Sequence, residues 1–324
     1  MGYWGPKIAR NLDGLSQVSV TMVADLDQSR LASIAVNQPW IKTTTDFYDI
    51  LNSDVDGVVI AAPVRAHYRL AKEALLHDKH VLVEKPLTAS VAEAEELIEL
   101  ARERNLILMV GHTFEYSPAV NELRKLVQNG DLGKIYCVEA ERVNLGLFRS
   151  DINVIWDLAP HDVSILLYLF GKTPERVKVQ ANAHLQSHIA DIAHLDLEFA
   201  DQMTAHIHVS WLHPCKIRRV TVIGDARMVV YDDTNPSEMI KVYNKGADVH
   251  ADPVVSYRYG AITIPHIDWV EPLRLECEDF VNSIRTGNPP RANGEVGLAV
   301  VRVLEAAQLA LEKQEAINTA VTVQ

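Results

Sequence analysis

The sequence is poor in cysteine, and its three cysteines form no recognisable pattern. Cys137, Cys215 and Cys277 are far apart and include no CxxC pair. This spacing excludes a disulfide framework and a zinc knuckle, and it is typical of proteins from a reducing cytoplasm. We expect all three to be packing residues.

Positive charge and long apolar segments are also scarce. Lysine and arginine number 31 against 43 aspartates and glutamates, a net charge of -12, and no basic block occurs. Since nucleic-acid binding depends on clustered basic residues, no nucleic-acid partner is expected. The longest strongly apolar run, residues 163–170, is too short to span a bilayer, and the chain does not begin with a basic segment followed by an apolar one. We expect a cytoplasmic protein with no membrane partner.

The remaining composition is that of an ordinary globular protein. Of the 324 residues, 48% are hydrophobic and 23% are charged, which excludes a disordered or fibrous chain. The length suggests about two domains, each large enough to bury its own core. No internal repeat or low-complexity tract is visible.

The first residues indicate a nucleotide-binding turn. The segment GYWGP contains Gly2, Tyr3, Trp4 and Gly5 and leads into a stretch with helical spacing of apolar residues. A β-branched run then ends at Asp25, about 20 residues after the glycines, where a dinucleotide fold places an acid on the adenosine ribose. A carboxylate there would repel a 2′-phosphate and accept from a 2′-hydroxyl, which favours NAD over NADP.

This glycine signal is weak by itself, because the GxGxxG fingerprint needs a preceding strand and a first glycine. Neither exists in the sequence, so two interpretations remain. Either an N-terminal truncation or a misassigned start removed the first strand, or Gly2 and Gly5 only form a helix-entry turn. A missing first strand would be central in the sheet, and its neighbours would be left with unpaired backbone groups.

Strands and helices then alternate as far as residue 112, which predicts a doubly wound sheet. The second strand of this series is predicted over residues 57–61 and is closed by Pro63, and the small side chains of Ala61 and Ala62 allow a cofactor close to the backbone. His67 opens the next helix. The strand at residues 106–112 ends at His112.

The stretch HVLVEKPL, residues 80–87, contains the candidate catalytic residues of the first half of the chain. Its apolar part predicts a buried strand of a parallel sheet, with Glu84 and Lys85 at the carboxyl end. Open α/β sheets bind their ligands at that end. Lys85 is therefore either a solvated loop charge or a proton-transfer group that points into a crevice.

The second half has a different pattern. Strand-like stretches separated by turn signals run from residue 175 to about residue 245, which indicates a mostly antiparallel sheet and an α+β domain. The prolines between residues 236 and 272 predict a long irregular stretch. Two amphipathic helices follow it.

Asp157 and His161 lie at i, i+4 in WDLAPHD and share one face of a predicted helix. Because Pro160 is tolerated only in a first helical turn, the helix should begin near Trp156 or Asp157. The helix dipole then favours an ionised Asp157 and a neutral His161, as a general base requires. The alternative is an N-cap and a packed first-turn residue.

A group of histidines and a group of basic residues could each bind a ligand, but both have simpler explanations. His206 and His208 face the same side of a strand, yet no carboxylate lies between them, so solvated or interfacial histidines are favoured over zinc and no metal is expected. Lys216 and Arg218 could meet the phosphates of a sugar nucleotide, although their alternation equally fits the solvent face of a strand.

Six features in this order resemble the Gfo/Idh/MocA oxidoreductases, a family that includes glucose–fructose oxidoreductase and inositol dehydrogenase. They are GYWGP, Asp25, AAPVRAHY, VLVEKPL, GHTFEYSPAV and DLAPHD. The EKP tripeptide after an apolar strand is the most specific, and the downstream D-x-x-x-H is second. One departure is Glu115, where many members have an arginine.

The resemblance implies an architecture of two domains. Residues 1–115 would form a Rossmann-type doubly wound sheet that lacks its first strand. Residues 116–324 would form an α+β domain with a large, mostly antiparallel open sheet, and its last helix would return toward the first domain. A sheet face without helices requires a partner subunit, so a homodimer or homotetramer is expected.

The resemblance also implies an NAD-dependent oxidoreductase in which hydride passes between a secondary hydroxyl of a sugar or nucleotide-linked sugar and nicotinamide. The alternatives are a dehydrogenase of a free polyol or inositol, and a non-catalytic sugar- or cofactor-binding relative inactivated by loss of the first strand. Lys85 would be the catalytic lysine, followed by a proline whose peptide bond is often cis in the family. Asp157 and His161 would be a polar pair facing the substrate. The expected cofactor-binding residues are Gly2, Tyr3, Trp4, Gly5, Asp25, Ala61, Ala62, Pro63, His67, Glu84, Lys85 and His112.

Overall fold

A computed structural model describes residues 2–249 and 255–313. Within these residues the chain divides into two compact units, each built from interleaved segments. The first contains residues 2–129, 163–171 and 265–302, and the second contains residues 130–162, 172–249, 255–264 and 303–313. The predicted domain boundary between residues 115 and 116 stays a prediction.

The first unit begins with alternating helices and strands. Their bounds are α1 (Gly5–Asp13), β1 (Met22–Ala24), α2 (Gln28–Asn37), β2 (Lys42–Thr44), α3 (Phe47–Leu51), β3 (Gly57–Ile60), α4 (Val64–Leu76), β4 (His80–Glu84), α5 (Val91–Glu103), β5 (Leu108–Gly111), a 3-10 turn (Thr113–Tyr116) and α6 (Pro118–Gln128). Local chemistry fixes several of these bounds. At the start of α5, the Ser90 hydroxyl accepts a hydrogen bond from the Glu93 amide, and the Glu93 carboxylate accepts one from the Ala89 amide. The two bonds form a capping box.

The parallel strands of this unit lie in two separate sheets. β1 pairs with β2, and β3, β4 and β5 form a three-stranded sheet in that order. Within the described residues no strand pairs β1 with β3. The prediction of a Rossmann-type sheet that lacks its first strand is confirmed.

Helix α8 (Pro272–Thr286) covers one face of the three-stranded sheet. In its core, Leu82 of β4 and Met109 of β5 pack in one cluster with Phe280 of α8. A second cluster joins Ile8 of α1 to Cys277 of α8. These contacts lie within the first unit. They show that Leu82 and the residues that alternate with it in β4 point toward α8.

The second unit is built on an eight-stranded sheet. It contains β6 (Ile135–Val143), β7 (Arg176–Asn182), β8 (Ile192–Glu198), β9 (Thr204–Ser210), β10 (Ile217–Gly224), β11 (Met228–Asp232), β12 (Ile240–Val249) and β13 (Val255–Thr263), in the spatial order β13-β12-β11-β10-β6-β9-β8-β7. All neighbours are antiparallel except β6 and β9, which are parallel. The predicted large, mostly antiparallel sheet is confirmed.

Two long helices contribute segments to both units, α7 (Val154–Phe170) and α9 (Gly294–Glu312). The side chain of Asn153 caps α7, since its Oδ1 accepts the amides of Ile155 and Trp156. The helix therefore starts earlier than predicted, and Pro160 lies inside it.

Two other expectations were wrong. The stretch predicted to be irregular contains β13, whose exposed residues Tyr257 and Tyr259 carry the strand propensity that the flanking prolines obscured. Cys277 is buried as expected of a packing residue, but Cys215 is exposed because it follows the turn at His213 and Pro214. In the part of the chain that the structure describes, no helix combines the length and apolarity that crossing a bilayer requires.

Candidate active site

The carboxyl edge of the β3-β4-β5 sheet gathers four of the predicted site residues. Glu84 ends β4 and is paired with Gly111, which ends β5. Lys85 and His112 are the next residues of the two strands, and Ala61 follows β3. Because the three strands are parallel, their ends lie at one edge of the sheet, where α/β folds bind ligands.

Glu84 is buried at this edge and is 8% exposed. Its Oε2 accepts a hydrogen bond from the Lys85 amide at 3.3 Å. A Cβ added at Gly111 would lie 3.4 Å from that oxygen, so the glycine leaves room for the carboxyl group. Burial raises the pKa of Glu84 to about 7, although the charge of Lys85 and the hydrogen bond from its backbone amide both act to lower it. Near neutral pH the carboxyl group therefore exchanges between its protonated and ionised forms.

His112 is 1% exposed. Within the described residues, neither of its ring nitrogens has a hydrogen-bond partner. Burial, followed by the nearby charge of Lys85, lowers the pKa of His112 to about 3. The imidazole is thus neutral at the working pH of any ordinary enzyme, and one nitrogen is available as an acceptor.

Lys85 is partly buried beside these two groups, and its peptide bond to Pro86 is cis, as the resemblance led us to expect. An ammonium group at this position can donate hydrogen bonds and stabilise negative charge on an oxygen. The sheet edge therefore presents one cation, one carboxyl group of mixed protonation and one neutral imidazole.

His67 has a bracing position that the sequence did not reveal. It is buried on α4, with Nδ1 2.8 Å from the carbonyl oxygen of Pro86 and Nε2 2.8 Å from that of Ala62. The ring thereby joins the loop after β3 to the turn after β4. A direct contact between His67 and a cofactor stays a prediction.

The start of α1 has the features that a phosphate group requires. Gly2 and Gly5 precede or open the helix, its first turn holds no acidic residue, and an added Cβ at Gly2 would meet no atom within 4 Å. The helix N-terminus carries partial positive charge. Lys7 lies over the ring of Tyr3 at 3.6 Å and over that of Trp4 at 4.8 Å, which adds a cation to this end.

Asp25 follows β1, and its carboxylate is held in place by local partners. Oδ1 accepts the Asp27 amide at 2.9 Å, and Oδ2 lies 3.6 Å from the Arg30 guanidinium. Burial disfavours the charge, but the Asp27 amide and Arg30 are among the groups that bring the pKa of Asp25 below its usual value. The ionised group can accept from a ribose hydroxyl, so the residues of the first unit fit a dinucleotide.

In the second unit, Asp157 lies in the first turn of α7, and its Oδ2 accepts the indole N–H of Trp211 at 2.9 Å. His161 lies one turn later, so it is not in the first turn as predicted. The correction follows from the Asn153 cap, which starts the helix before Trp156. Both side chains of the pair are partly exposed, as groups that meet a substrate must be.

A buried ion pair lies next to His161 along the chain. Asp162 is 1% exposed and accepts two hydrogen bonds from the Arg142 guanidinium of β6, at 2.8 and 2.9 Å. This bidentate pair fixes α7 against the sheet at the residue after His161. Strand alternation could have revealed it, since Arg142 lies on the same face of β6 as Val138 and Ala140, which are buried.

The other face of the sheet carries the histidines. His208 stacks on His194 with ring centroids 4.3 Å apart, and His206 pairs with Asp196. Among the described residues, no group of three or more histidine, cysteine or acidic side chains is arranged to hold a metal ion. The guanidinium of Arg218 pairs with Asp233 at 3.2 Å, and a contact of Arg218 with a phosphate stays a prediction.

Comparison with known proteins gives two family matches. The family described as "Oxidoreductase family, NAD-binding Rossmann fold" matches residues 1–112, and the family described as "GFO/IDH/MocA C-terminal domain" matches residues 120–230. Together they include every site residue named above.

Individual relatives agree with these matches. UDP-N-acetylglucosamine 3-dehydrogenase of Acidithiobacillus ferrooxidans is 31% identical over 265 residues, which cover 82% of this chain and 81% of the relative. Myo-inositol 2-dehydrogenase of Thermotoga maritima is 22% identical over 339 residues, covering 98% and 96%. The crystal structure of GenD2 from gentamicin A biosynthesis in complex with NAD has a TM-score of 0.82 and 25% identity, and the match covers 96% of this chain and 92% of that one.

Proposed function

Because the chain belongs to the Gfo/Idh/MocA family of oxidoreductases, we propose that it oxidises or reduces a sugar or nucleotide-linked sugar at a secondary hydroxyl carbon, with NAD as cofactor. The observation that carries this proposal is the position of Lys85. It lies at the carboxyl edge of a parallel sheet, between the ionisable Glu84 and the neutral His112.

The chain's own residues supply binding, charge and proton transfer. Bound NAD supplies the nicotinamide carbon that exchanges hydride with the substrate. The N-terminal turn of α1 and Asp25 hold the cofactor's phosphates and adenosine ribose, and the small side chains of Ala61 and Ala62 let it approach the backbone. The ionised Asp25 favours the free 2′-hydroxyl of NAD over the 2′-phosphate of NADP.

Loss of hydride from a secondary alcohol leaves negative charge on the hydroxyl oxygen as its proton departs. Lys85, as an ammonium group, stabilises that charge. Either Lys85 or His161 carries the proton, and Asp157, which is anchored by Trp211, is the third polar group of the reaction. Glu84 either orients Lys85, whose backbone amide donates to it, or would contact the nicotinamide ribose.

Two relatives support two different substrate classes for this chain. A UDP-sugar dehydrogenase is 31% identical over most of this chain, which supports a nucleotide-linked sugar. A free polyol or inositol is the alternative that the inositol dehydrogenase relative supports. A non-catalytic sugar- or cofactor-binding relative is the third possibility.

A cytoplasmic homodimer or homotetramer is part of this proposal. The face of the large sheet that bears His194 and His208 alternates with the buried face of the same strands. A second copy of the chain placed on that face would cover it.

The test is a substrate panel followed by NADH absorbance. UDP-N-acetylglucosamine, UDP-glucose, myo-inositol and glucose are each offered with NAD and with NADP. We expect NADH formation with a UDP-sugar, and formation only with a free polyol favours the alternative. Quenching of tryptophan fluorescence measures NAD binding independently. If NAD binds but no substrate is turned over, the catalytic proposal fails; if NAD does not bind, the cofactor proposal fails as well.

A further inference from the structure

Helix α8 carries a carboxyl group that the reaction described above does not use. Glu276 is 0% exposed, and among the described residues neither of its carboxyl oxygens accepts a hydrogen bond from a donor group. A buried polar group without a partner destabilises the fold. Proteins keep such groups chiefly at functional sites.

The packing of the first unit places Glu276 beside Glu84. Leu82 of β4 packs in one cluster with Phe280 of α8. Glu84 lies two residues after Leu82 and so points to the same face of the sheet, while Glu276 lies one helical turn before Phe280 on the same face of α8. The charge of Glu84 accordingly acts on Glu276.

The 3-10 turn between β5 and α6 supplies the other groups around Glu276. Thr113 lies near its carboxyl group, and Glu115 is a second carboxyl that acts on it. Glu115 is 1% exposed, and burial raises its pKa to about 8 despite the charges of Arg291 and Arg124. The turn is held against α8 because the Tyr116 hydroxyl donates to the Asp279 carboxylate at 2.7 Å.

Three carboxyl groups in one buried space cannot all be ionised. Glu276 is the most buried of them, and burial, followed by the charge of Glu84, raises its pKa well above the usual value. Glu276 therefore keeps its proton while Glu84 titrates near neutral pH. A protonated carboxyl group is a hydrogen-bond donor.

We propose that Glu276 is a positioning residue for Lys85: its protonated carboxyl group donates to the Glu84 carboxylate, whose Oε2 accepts the Lys85 amide. Glu276 itself touches neither substrate nor cofactor. It acts by holding Glu84 in the conformation that fixes the backbone of Lys85. This inference rests on the proposed function, because it assigns Lys85 to catalysis.

Two substitutions of similar volume test the donor. Glu276→Gln keeps a neutral donor, and Glu276→Met removes it. We expect the Met variant to lower kcat by about tenfold, the size expected from losing a hydrogen bond to a charged group, with an unchanged KM for NAD. The Gln variant should retain most of the activity.

Glu278→Gln is the matched control, because Glu278 is two residues away on α8 and pairs with Arg274 at 2.9 Å outside the core. It should leave kcat unchanged. Wild-type activity in the Met variant, or an equal loss in the Gln and Met variants, would overturn the proposal.

A second measurement does not depend on turnover. Carbon-13 NMR of labelled glutamate side chains follows the titration of Glu84, whose signal is assigned from a Glu84→Gln variant. A donor stabilises the ionised carboxylate, so the Glu84 midpoint should rise by about one pH unit in Glu276→Met and stay in place in Glu276→Gln. If the wild-type protein turns over no substrate, the proposed function fails while this titration still decides the role of Glu276. An unchanged midpoint in the Met variant would overturn that role.

Discussion

The imidazole of His67 lies between two backbone carbonyl groups, 2.8 Å from the oxygen of Pro86 and 2.8 Å from that of Ala62. Both neighbours are acceptors, and a neutral imidazole has a single N–H. A neutral ring can donate to only one of the two carbonyl oxygens, and it lies between the loops that follow β3 and β4. Because Pro86 directly follows Lys85, replacement of His67 is informative.

Replacement of His67 by phenylalanine keeps a buried ring but removes both polar contacts. We expect the free energy of unfolding to fall by about 1–3 kcal/mol, because the carbonyl group that accepts the ring N–H loses its donor in the protein interior. Urea denaturation measures this change. His77→Phe is the control, since the polar contact of His77 is local, to the Glu73 carbonyl of the same helix, and a phenylalanine keeps the ring contact with Tyr48. Equal stability of the His67 variant and the wild type would contradict the bracing role.

Lys85→Ala should separate binding from chemistry. Removal of the ammonium group should leave NAD affinity nearly intact and lower turnover by about 10²–10⁴-fold, the range typical of a lost acid–base group. Fluorescence quenching and NADH formation measure the two effects. Lys125→Ala, on the exposed face of α6, is the control. Unchanged turnover in the Lys85 variant would remove this residue from the mechanism.

His112 should make stability depend on pH. Its pKa is about 3 in the folded protein against a usual value of 6.5. The unfolded chain therefore binds the proton first as the pH falls, so the stability that His112 contributes is complete above pH 6.5 and is lost toward pH 3.

When the pH falls from 7.5 to 5, the free energy of unfolding of the wild-type protein should decrease by about 2 kcal/mol more than that of a His112→Leu variant. Glu84 and Glu115 titrate in the opposite sense in both proteins, so their contribution cancels in the difference. Urea denaturation at the two pH values measures it. A difference that does not change with pH would show that His112 is not held neutral by burial.

The Arg142–Asp162 pair should be sensitive to loss of one partner. Asp162→Asn leaves a buried guanidinium without its counter-charge, and we expect a loss of about 3–5 kcal/mol in unfolding free energy. Replacing both residues, Arg142→Met with Asp162→Leu, should restore much of that loss because no charge stays buried. Thermal and urea denaturation compare the variants. A double variant less stable than the single one would contradict this account.

The sequence was sufficient to predict the parts of the fold that depend on local pattern. The apolar run before Glu84 predicted β4, and the Ser90–Glu93 spacing predicted the capping box of α5. The start of α7 was misplaced because Pro160 was treated as a first-turn residue, whereas the Asn153 side chain caps the helix. Several nearby polar residues could cap the helix, and tertiary contacts determine which of them does so.

The site was predictable where a residue type follows directly from a strand end, as at Lys85. The roles of His67 and Glu276 were not, because each depends on a long-range neighbour. The carbonyl of Pro86 is 19 residues from His67, and Glu84 reaches Glu276 only through the packing of α8 on β4. Spacing along the chain contains no information about such contacts.

The division of the parallel strands into two sheets should be visible in hydrogen exchange. β1 and β2 share no hydrogen-bond ladder with β3, and Val23, Leu31, Ile34 and Ile41 form a small apolar cluster of their own. The segment from β1 to β2 can therefore open and exchange its amide protons while β3, β4 and β5 remain protected. Asp25 belongs to that segment. Dinucleotide binding would accordingly be coupled to the closing of a local folding unit, and the amides around Asp25 would report it by slower exchange.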